Sequence, residues 1–340
     1  MVTRSSPRCQ ADRANRGDWQ HQIATAVRSA KELCQLLDLD PALAAAATPG
    51  ARRFAVRVPL SFVNRIERGN PDDPLLLQIL PQINELLTPA GYSSDPVGDL
   101  TARAAPALLR KYNGRVLLLT TAACALHCRY CLRRCFPAHA GVATAAKLSQ
   151  ALALIAAAPS VDEVILSGGD PLMLADRLLA RLLHQLTALP QLKRLRLHTR
   201  VPVALPARVT PALVQLLSHQ RLPVVMVIHA NHAAELNDEV ARALNQLRRA
   251  GVVLFNQSVL LHGVNDDVAT LRQLSERLFD CGVLPYYLHL LDLVTGSAAF
   301  YLPDQHARRL MIELRRQLPG YLMPRPVREV AGALSKLPFV

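Results

Sequence analysis

A chain of 340 residues is long for a single hydrophobic core, so we expect one large α/β domain or two domains. Hydrophobic residues make up 51% and charged residues 19%, which excludes a largely disordered chain. The net charge of +13 permits a nucleic-acid partner, but the basic residues are spread along the chain without a long basic run, and this favours solvated helix surfaces.

The sequence also bears on location. No apolar run is long enough to span a bilayer, which argues against a membrane protein. Residues 1–18 are polar and lack the apolar centre of a secretory signal, so we interpret them as a flexible tail. We therefore expect a cytoplasmic protein.

The predicted elements begin with a helical region at residues 19–105. Apolar residues such as Trp19, Ile23 and Ala30 recur at helical spacing, and prolines divide the region into short pieces. We therefore predict several short helices here, followed by a loop at 91–98 that leads into the main domain.

From residue 106 to about 320, short apolar runs alternate with longer amphipathic stretches. This pattern predicts parallel strands joined by crossover helices. Six such units are too few for an eight-unit barrel, so we predict an α/β fold of the open, partial (β/α)6 barrel type, with ligands at the carboxyl ends of its strands and a short C-terminal segment at 321–340. The predicted strands are 116–120, 164–166, 195–198, 224–228, 252–259 and 284–290, and the predicted helices are 145–157, 176–186, 211–218, 233–250, 267–279 and 305–317.

Four of the seven cysteines lie within twelve residues, directly after the first predicted strand. Cys124, Cys128 and Cys131 have C-x3-C-x2-C spacing, and thiolates are the usual ligands of iron–sulfur clusters. Ferredoxin-like and zinc sites normally take four protein ligands. Three ligands would leave one iron of a [4Fe–4S] cluster open to a substrate or cofactor.

Other roles for the cysteines stay open. Cys135 would complete a four-cysteine zinc site, although the spacing differs from that of paired C-x2-C knuckles. Cys9, Cys34 and Cys281 stand alone and are expected to be apolar packing residues.

A glycine pair marks the end of the second predicted strand, in Ser167-Gly168-Gly169-Asp170. Glycines at a strand's carboxyl end allow the backbone to approach a ligand closely. Taken alone, the segment is equally well explained as an ordinary turn.

The cysteine spacing is the hallmark of the radical S-adenosylmethionine superfamily, in which a Gly-Gly-Asp/Glu segment binds the methionyl ammonium. More specifically, the chain resembles the lysine 2,3-aminomutase family, and within it the branch that acts on elongation factor P. The resemblance runs from about residue 19 to residue 336. The matching stretches are 128–134, 166–172, 198–202, 205–210, 229–232, 256–266 and 285–292.

The resemblance implies pyridoxal phosphate as a further cofactor, held as a Schiff base by Lys336. It places Lys111 and Arg115 at the cofactor phosphate. The S-adenosylmethionine pocket would be lined by Arg200, His229 and Gln257, besides the four residues of the glycine segment.

The resemblance also implies a lysine-binding pocket. Arg133 matches the family's arginine for the substrate carboxylate, and Asp292 matches an aspartate that receives the ε-ammonium. Where the family has a second aspartate, this chain has Glu329, whose longer arm leaves the fit of the pocket and its stereochemistry undecided.

The implied activity is conversion of free L-α-lysine to β-lysine of the R form. A separate ligase would attach the product to elongation factor P, and a flavodoxin- or ferredoxin-like protein would supply electrons. The few residues after Lys336 suit that branch. Two alternatives stay open: an aminomutase for another amino acid such as glutamate, which the Asp292 carboxylate would repel, and a basic radical enzyme that modifies RNA. A homo-oligomer is left open.

Overall fold

The computed structural model describes residues 18–136 and 144–339. Of the tail predicted at 1–18, residues 1–17 lie outside the described residues, and Asp18 begins the first helix. Within the described ranges, no helix combines the length and the apolar character needed to cross a bilayer.

The N-terminal region is a layer of short helices, as predicted. Asp40 precedes Pro41 at the start of α3, and Asp73 precedes Pro74 at the start of α5. Each aspartate accepts backbone N–H groups of the first turn, and a proline at the first helical position loses no hydrogen bond. The helices are α1 (Asp18–Ala24), α2 (Ala30–Leu36), α3 (Pro41–Arg53), α4 (Leu60–Val63), α5 (Pro74–Leu77) and a 3₁₀ turn at Ile83–Leu86.

One ten-stranded sheet forms the main body, with its strands in chain order from β1 to β10. The seven strands from β3 to β9 are parallel, whereas β1, β2 and β10 pair antiparallel at the two edges. The strands are β1 (Arg103–Ala105), β2 (Leu108–Tyr112), β3 (Arg115–Thr121), β4 (Glu163–Gly168), β5 (Arg194–Thr199), β6 (Val224–Ile228), β7 (Val253–Val259), β8 (Leu284–His289), β9 (Arg325–Arg328) and β10 (Leu337–Pro338).

The predicted open (β/α) architecture is confirmed, because the sheet is rich in parallel strands and its edges do not pair with each other. All six predicted strands are present. Crossover helices cover the sheet, and the core lies between them and the strands, where Leu166, Leu197 and Met226 are fully buried. The crossover helices are α6 (Ala145–Ala156), α7 (Asp176–Thr187), α9 (Pro211–Ser218), α10 (Asp238–Arg249), α11 (Val268–Asp280) and α12 (Asp304–Gln317), with a short α8 (Val201–Ala204) after β5.

Three details differ from the prediction. The prediction of a single helix at 233–250 is wrong. A 3₁₀ turn covers Ala233–Glu235, and α10 begins separately because the Asn237 side chain accepts the N–H of Val240. The last three residues of the region predicted to be helical, 19–105, form the strand β1 instead of helix. β9 adds a seventh parallel strand within 321–340, so the sheet runs across both predicted domain boundaries, 105/106 and 320/321.

Candidate active site

A cavity of about 600 Å³ opens toward the carboxyl ends of the parallel strands. Its wall contains every site residue that the sequence predicted. These are the three cysteines Cys124, Cys128 and Cys131, the cations Lys111, Arg115, Arg133, Arg200 and Lys336, the carboxylates Asp170, Asp292 and Glu329, and Ser167, Gly168, Gly169, His229 and Gln257. The fold therefore brings together residues that are up to 225 positions apart in the sequence.

The cysteine loop leaves β3 at Thr121 and is held by the N-terminal helices. The N–H of His127 donates to the carbonyl of Arg57 at 2.9 Å, and the N–H of Arg129 donates to the carbonyl of Gln78 at 2.9 Å. These backbone bonds hold the loop between the N-terminal helices and the sheet, at the carboxyl ends of the parallel strands.

The three thiols of this loop are suitable ligands for an iron–sulfur cluster, because such clusters are bound by cysteine thiolates. All three are free and half-buried, and they line one cavity. Burial, together with the nearby Cys128, raises the pKa of Cys131 to about 11, and burial raises the pKa of Cys124 well above its usual range. The thiols of Cys124 and Cys131 are therefore protonated until metal displaces the protons.

The zinc alternative gains no support from the geometry. Across residues 18–136 and 144–339, no group of three or more His, Cys, Asp or Glu side chains is placed to hold a single metal ion. Cys135 lies beside the carbonyl of Thr295, at 3.9 Å. A cluster distributes its thiolates over several irons instead of gathering them around one ion.

The glycine pair packs directly against the start of the cysteine loop. A Cβ on Gly168 would lie 2.4 Å from the carbonyl oxygen of Thr121, and one on Gly169 would lie 2.3 Å from that of Ala123. Gly168 also has a φ of 119°, which L side chains rarely adopt. The close approach that the glycines allow is therefore first of all an approach to the protein's own backbone.

Asp170 joins the ends of β4 and β5. Its carboxylate accepts hydrogen bonds from Thr199 Oγ1 at 2.7 Å and from the N–H groups of Arg200 and Val201 at 2.7 and 3.2 Å. Burial nevertheless raises its pKa to about 6. With both oxygens bonded to the protein, Asp170 holds the shape of the predicted S-adenosylmethionine pocket.

Arg200 is almost fully buried beside the cysteine loop. Its Nη1 lies 2.7 Å from the Sγ of Cys128 and 2.6 Å from the hydroxyl of Tyr130, while Nη2 donates to Gln78 and Glu235 at 2.7 and 2.8 Å. Sequence reasoning missed Gln78 and Glu235, because they come from a short helix and a 3₁₀ turn without any motif of their own.

His229 and Gln257 line the cavity at the ends of β6 and β7. Burial and the charge of Arg200 lower the pKa of His229 to about 3, so its ring is neutral. Its Nε2 lies 3.4 Å from the hydroxyl of Tyr130.

A chain of ion pairs crosses the other side of the cavity. Asp99 pairs with Arg133 at 2.9 Å and with Lys111 at 2.6 Å, and Lys111 pairs in turn with Glu329 at 2.7 Å. Glu329 then pairs with Lys336 at 2.5 Å. The charges therefore alternate along the predicted substrate-binding wall.

Lys336 and Glu329 meet because β10 pairs with β9 in a fixed register. Leu337 lies opposite Arg328. Lys336, which precedes β10, therefore lies opposite Glu329, which follows β9. Although burial acts the other way, Lys336 and Lys111 hold the pKa of Glu329 well below its usual range. Glu329 is thus ionised, with an ammonium group on each oxygen.

Asp292 is the carboxylate of this wall that has no partner. Among the described residues, no hydrogen bond or ion pair reaches its side chain. Burial, followed by the nearby charge of Glu329, raises its pKa to about 7. The charges of Lys336 and Lys111 only partly offset these effects, so a cation that enters the cavity would further stabilise the ionised form of Asp292.

The two residues predicted at the cofactor phosphate differ in whether their side-chain donors are already bonded to the protein. Lys111 donates to Val97 as well as to its two carboxylates, so its three donors are all engaged. Arg115 lies over the ring of Tyr112 at 4.8 Å, and within the described residues its guanidinium forms no hydrogen bond. Arg133 bonds through Nε and Nη1, the latter to Ser167 at 3.1 Å, and its Nη2 has no partner in the described part of the chain.

Sequence reasoning missed Asp99, His198 and His289 in the cavity wall. Asp99 sits in a loop, where a single aspartate carries no signal. His198 lies within a stretch that matched the family, at the end of a predicted strand, and that position was the available signal for it.

Comparison with known proteins identifies relatives along nearly the whole chain. Residues 118–274 match the Radical SAM superfamily. The L-lysine 2,3-aminomutase of Escherichia coli (strain K12) is 47% identical over 326 residues, which cover 96% of this chain and 95% of that protein. The L-lysine 2,3-aminomutase of Haemophilus influenzae is 42% identical and covers 94% of each chain. A solved radical SAM methyltransferase from Sphaerobacter thermophilus is 18% identical, with a TM-score of 0.45 over 65% of this chain and 68% of that one.

Proposed function

Because the chain belongs to the L-lysine 2,3-aminomutase family of the radical S-adenosylmethionine superfamily, we propose that it isomerises free L-lysine to β-lysine. The family uses a [4Fe–4S] cluster, S-adenosylmethionine and pyridoxal phosphate. When bound, these cofactors supply the radical that removes a hydrogen and the π system that carries the migrating nitrogen.

We assign the cofactor positions by the residues that fit them. Cys124, Cys128 and Cys131 would hold the cluster, and Lys336 would hold pyridoxal phosphate. Arg115, which has no bonded partner in the described residues, would receive the phosphate, and Lys111 would join it only by releasing a carboxylate.

S-adenosylmethionine would then lie near the ends of β4 to β7, against 167–170, Arg200, His229 and Gln257. The support for this assignment is their shared position in one cavity beside the cysteine loop. Asp170 would act there through the backbone that it holds.

The partnerless carboxylate of Asp292 is the observation that carries the substrate assignment. The ε-ammonium of lysine would supply the missing cation, and the free Nη2 of Arg133 would receive the substrate carboxylate. An amino acid with an anionic side chain would instead place like charges together in a buried site. Glu329 would hold Lys336 and Lys111 in place, since both of its oxygens are already paired with them.

The finer parts of the proposal rest on the resemblance to the elongation factor P branch. These are the R form of the product, its transfer to elongation factor P by a separate ligase, the flavodoxin- or ferredoxin-like reductant and the cytoplasmic location. Chiral chromatography of the product tests the first of them, because S-β-lysine would contradict it.

Anaerobic incubation with competing amino acids tests the activity itself. The protein is reconstituted with iron, sulfide and pyridoxal phosphate, reduced, and given S-adenosylmethionine with L-lysine or L-glutamate. We expect β-lysine from lysine, no β-glutamate, and no product from a Lys336→Ala variant. Turnover of glutamate in preference to lysine would contradict the proposed substrate.

A further inference from the structure

The cavity wall contains a histidine with a buried ring nitrogen that has no partner among the described residues. His198 stands near the end of β5, and its Nε2 is buried with no hydrogen bond to any described residue. Buried polar atoms are nearly always paired, because leaving one unpaired costs stability. His198 is one of the residues that line the cavity described above, and this position indicates a bound group as the missing partner of its Nε2.

Burial and the charges around His198 determine the protonation state of its imidazole. Burial, and then the nearby charges of Arg196, Lys336 and Arg133, hold the pKa of His198 well below its usual range. The imidazole is therefore neutral, with one N–H to donate and one lone pair to accept.

Lys336 stands close to the same wall. Its ammonium lies 5.9 Å from the ring centre of Tyr287, and the Tyr287 ring lies 5.6 Å from that of His289. Both rings line the cavity together with His198. A flat ring attached at Lys336 would thus meet aromatic surfaces and the neutral imidazole.

The pyridine ring of pyridoxal phosphate carries two polar atoms besides its phosphate arm, a phenolic oxygen and a ring nitrogen. Resting on the proposed function, which puts this cofactor on Lys336, we propose that Nε2 of His198 forms a hydrogen bond to one of these ring atoms and so fixes the orientation of the ring in the cavity. His198 is then a cofactor-binding residue in addition to those that the sequence predicted.

Cofactor binding measured without turnover tests this assignment. Pyridoxal phosphate is titrated into the cluster-loaded protein, and its dissociation constant and absorption band are recorded. The variants are His198→Phe, which keeps a flat ring but removes the polar atoms, and His198→Gln, which keeps a donor and an acceptor. His184→Gln, at an exposed position on α7, is the matched control.

We expect His198→Phe to weaken binding about tenfold and to shift the absorption band, since it removes one buried hydrogen bond. His198→Gln should recover most of the affinity, and His184→Gln should match the wild type. If the Phe variant does not fold, as judged by its melting curve and iron content, the smaller His198→Leu is measured by the same criteria.

The outcomes separate the two proposals. If wild type binds the cofactor and isomerises lysine, but the apolar variants keep wild-type affinity and absorption band, the His198 assignment fails alone and an ordered water is the partner of Nε2. A wild type that takes up no pyridoxal phosphate would end both proposals.

Discussion

At the scale of single residues, Asp292 combines burial with the absence of a partner. Its side chain faces the charges of Glu329, Lys336, Lys111 and Asp99, and its pKa of about 7 is set mainly by burial. Because the pKa is raised, the carboxyl group is protonated below that pH and ionised above it. Only the ionised form can pair with an ammonium group.

The affinity for lysine is therefore expected to rise as the pH increases from 6 to 8 through the pKa of Asp292 near 7. Asp292→Asn should lower kcat/KM roughly tenfold to a hundredfold by removing a charge-assisted hydrogen bond, and it should flatten this pH dependence. Iron content should not change. Asp280→Asn, at an exposed position, serves as the control; a pH profile of Asp292→Asn identical to that of the wild type would remove Asp292 from the pocket.

Asp99 is the second residue on which the substrate-binding wall depends. It is 2% exposed and pairs with both Arg133 and Lys111. Asp99→Asn would leave two cations close together without a shared anion, so we expect a loss of about 3–5 kcal/mol in the free energy of unfolding. Since Arg133 would lose its anchor, KM for lysine should rise more than kcat falls.

Denaturant unfolding and steady-state kinetics check this expectation. Asp162→Asn is the matched control, because Asp162 also pairs with two cations, Lys193 and Arg194, but is partly exposed. Such pairs contribute at most about 1 kcal/mol. Equal losses of stability in the two variants, or an unchanged KM in Asp99→Asn, would contradict the positioning role.

At the scale of elements, the contact between the β4 end and the cysteine loop is the tightest constraint on the site. Gly169→Ala would place a Cβ 2.3 Å from the carbonyl oxygen of Ala123, so the loop must shift. We expect the variant to bind less iron after reconstitution, measured by iron content and absorbance. Gly320→Ala, where a Cβ meets nothing within 4 Å, should match the wild type; full iron loading in both variants would show that the contact is unnecessary.

The same scale shows what the sequence could predict. Strands β3 to β8 could be predicted because short runs rich in apolar residues alternate with longer amphipathic stretches in this part of the sequence. β9 and β10 were not predicted, because a four-residue strand that contains Pro326 and a two-residue strand give no periodic pattern. The split before α10 depends on one side-chain cap at Asn237, a local choice that a run of helix-favouring residues hides.

Sequence motifs identified the site residues that lie close together in the chain. They did not identify the residues that reach the site from distant elements. The cysteine trio and the glycine segment could be identified from spacing, and Lys336 and Asp292 through the family resemblance. Asp99, Gln78 and Glu235 could not, because only the folded sheet and the N-terminal helices bring them to Arg133 and Arg200.

At the scale of the whole molecule, the cavity has two separately built sides. The N-terminal helices hold the cysteine loop through backbone bonds, whereas the β9–β10 pairing at the far edge of the sheet holds Lys336 beside Glu329. The cysteine loop and Lys336 are therefore held by different elements, whereas Arg115 of the predicted phosphate site lies on β3, the strand from which the cysteine loop leaves.

Cys131→Ala should accordingly lose iron and activity together while keeping the absorbance of bound pyridoxal phosphate. Lys336→Ala should lose that absorbance and keep its iron. Cys281→Ala, which alters a buried cysteine of the core, controls for the loss of a thiol. If removing Cys131 also abolished pyridoxal phosphate binding in a folded protein, the two sides of the cavity would not be independent.

The central claim, that this cavity moves the α-amino group of lysine to the β-carbon, is tested most directly by following that nitrogen. The reduced, reconstituted protein is incubated anaerobically with S-adenosylmethionine and L-lysine that carries heavy nitrogen at the α-position only, and the product is analysed by mass spectrometry and NMR. We predict β-lysine with the heavy nitrogen retained on the β-carbon. Absence of β-lysine, or β-lysine without the label, would contradict the account.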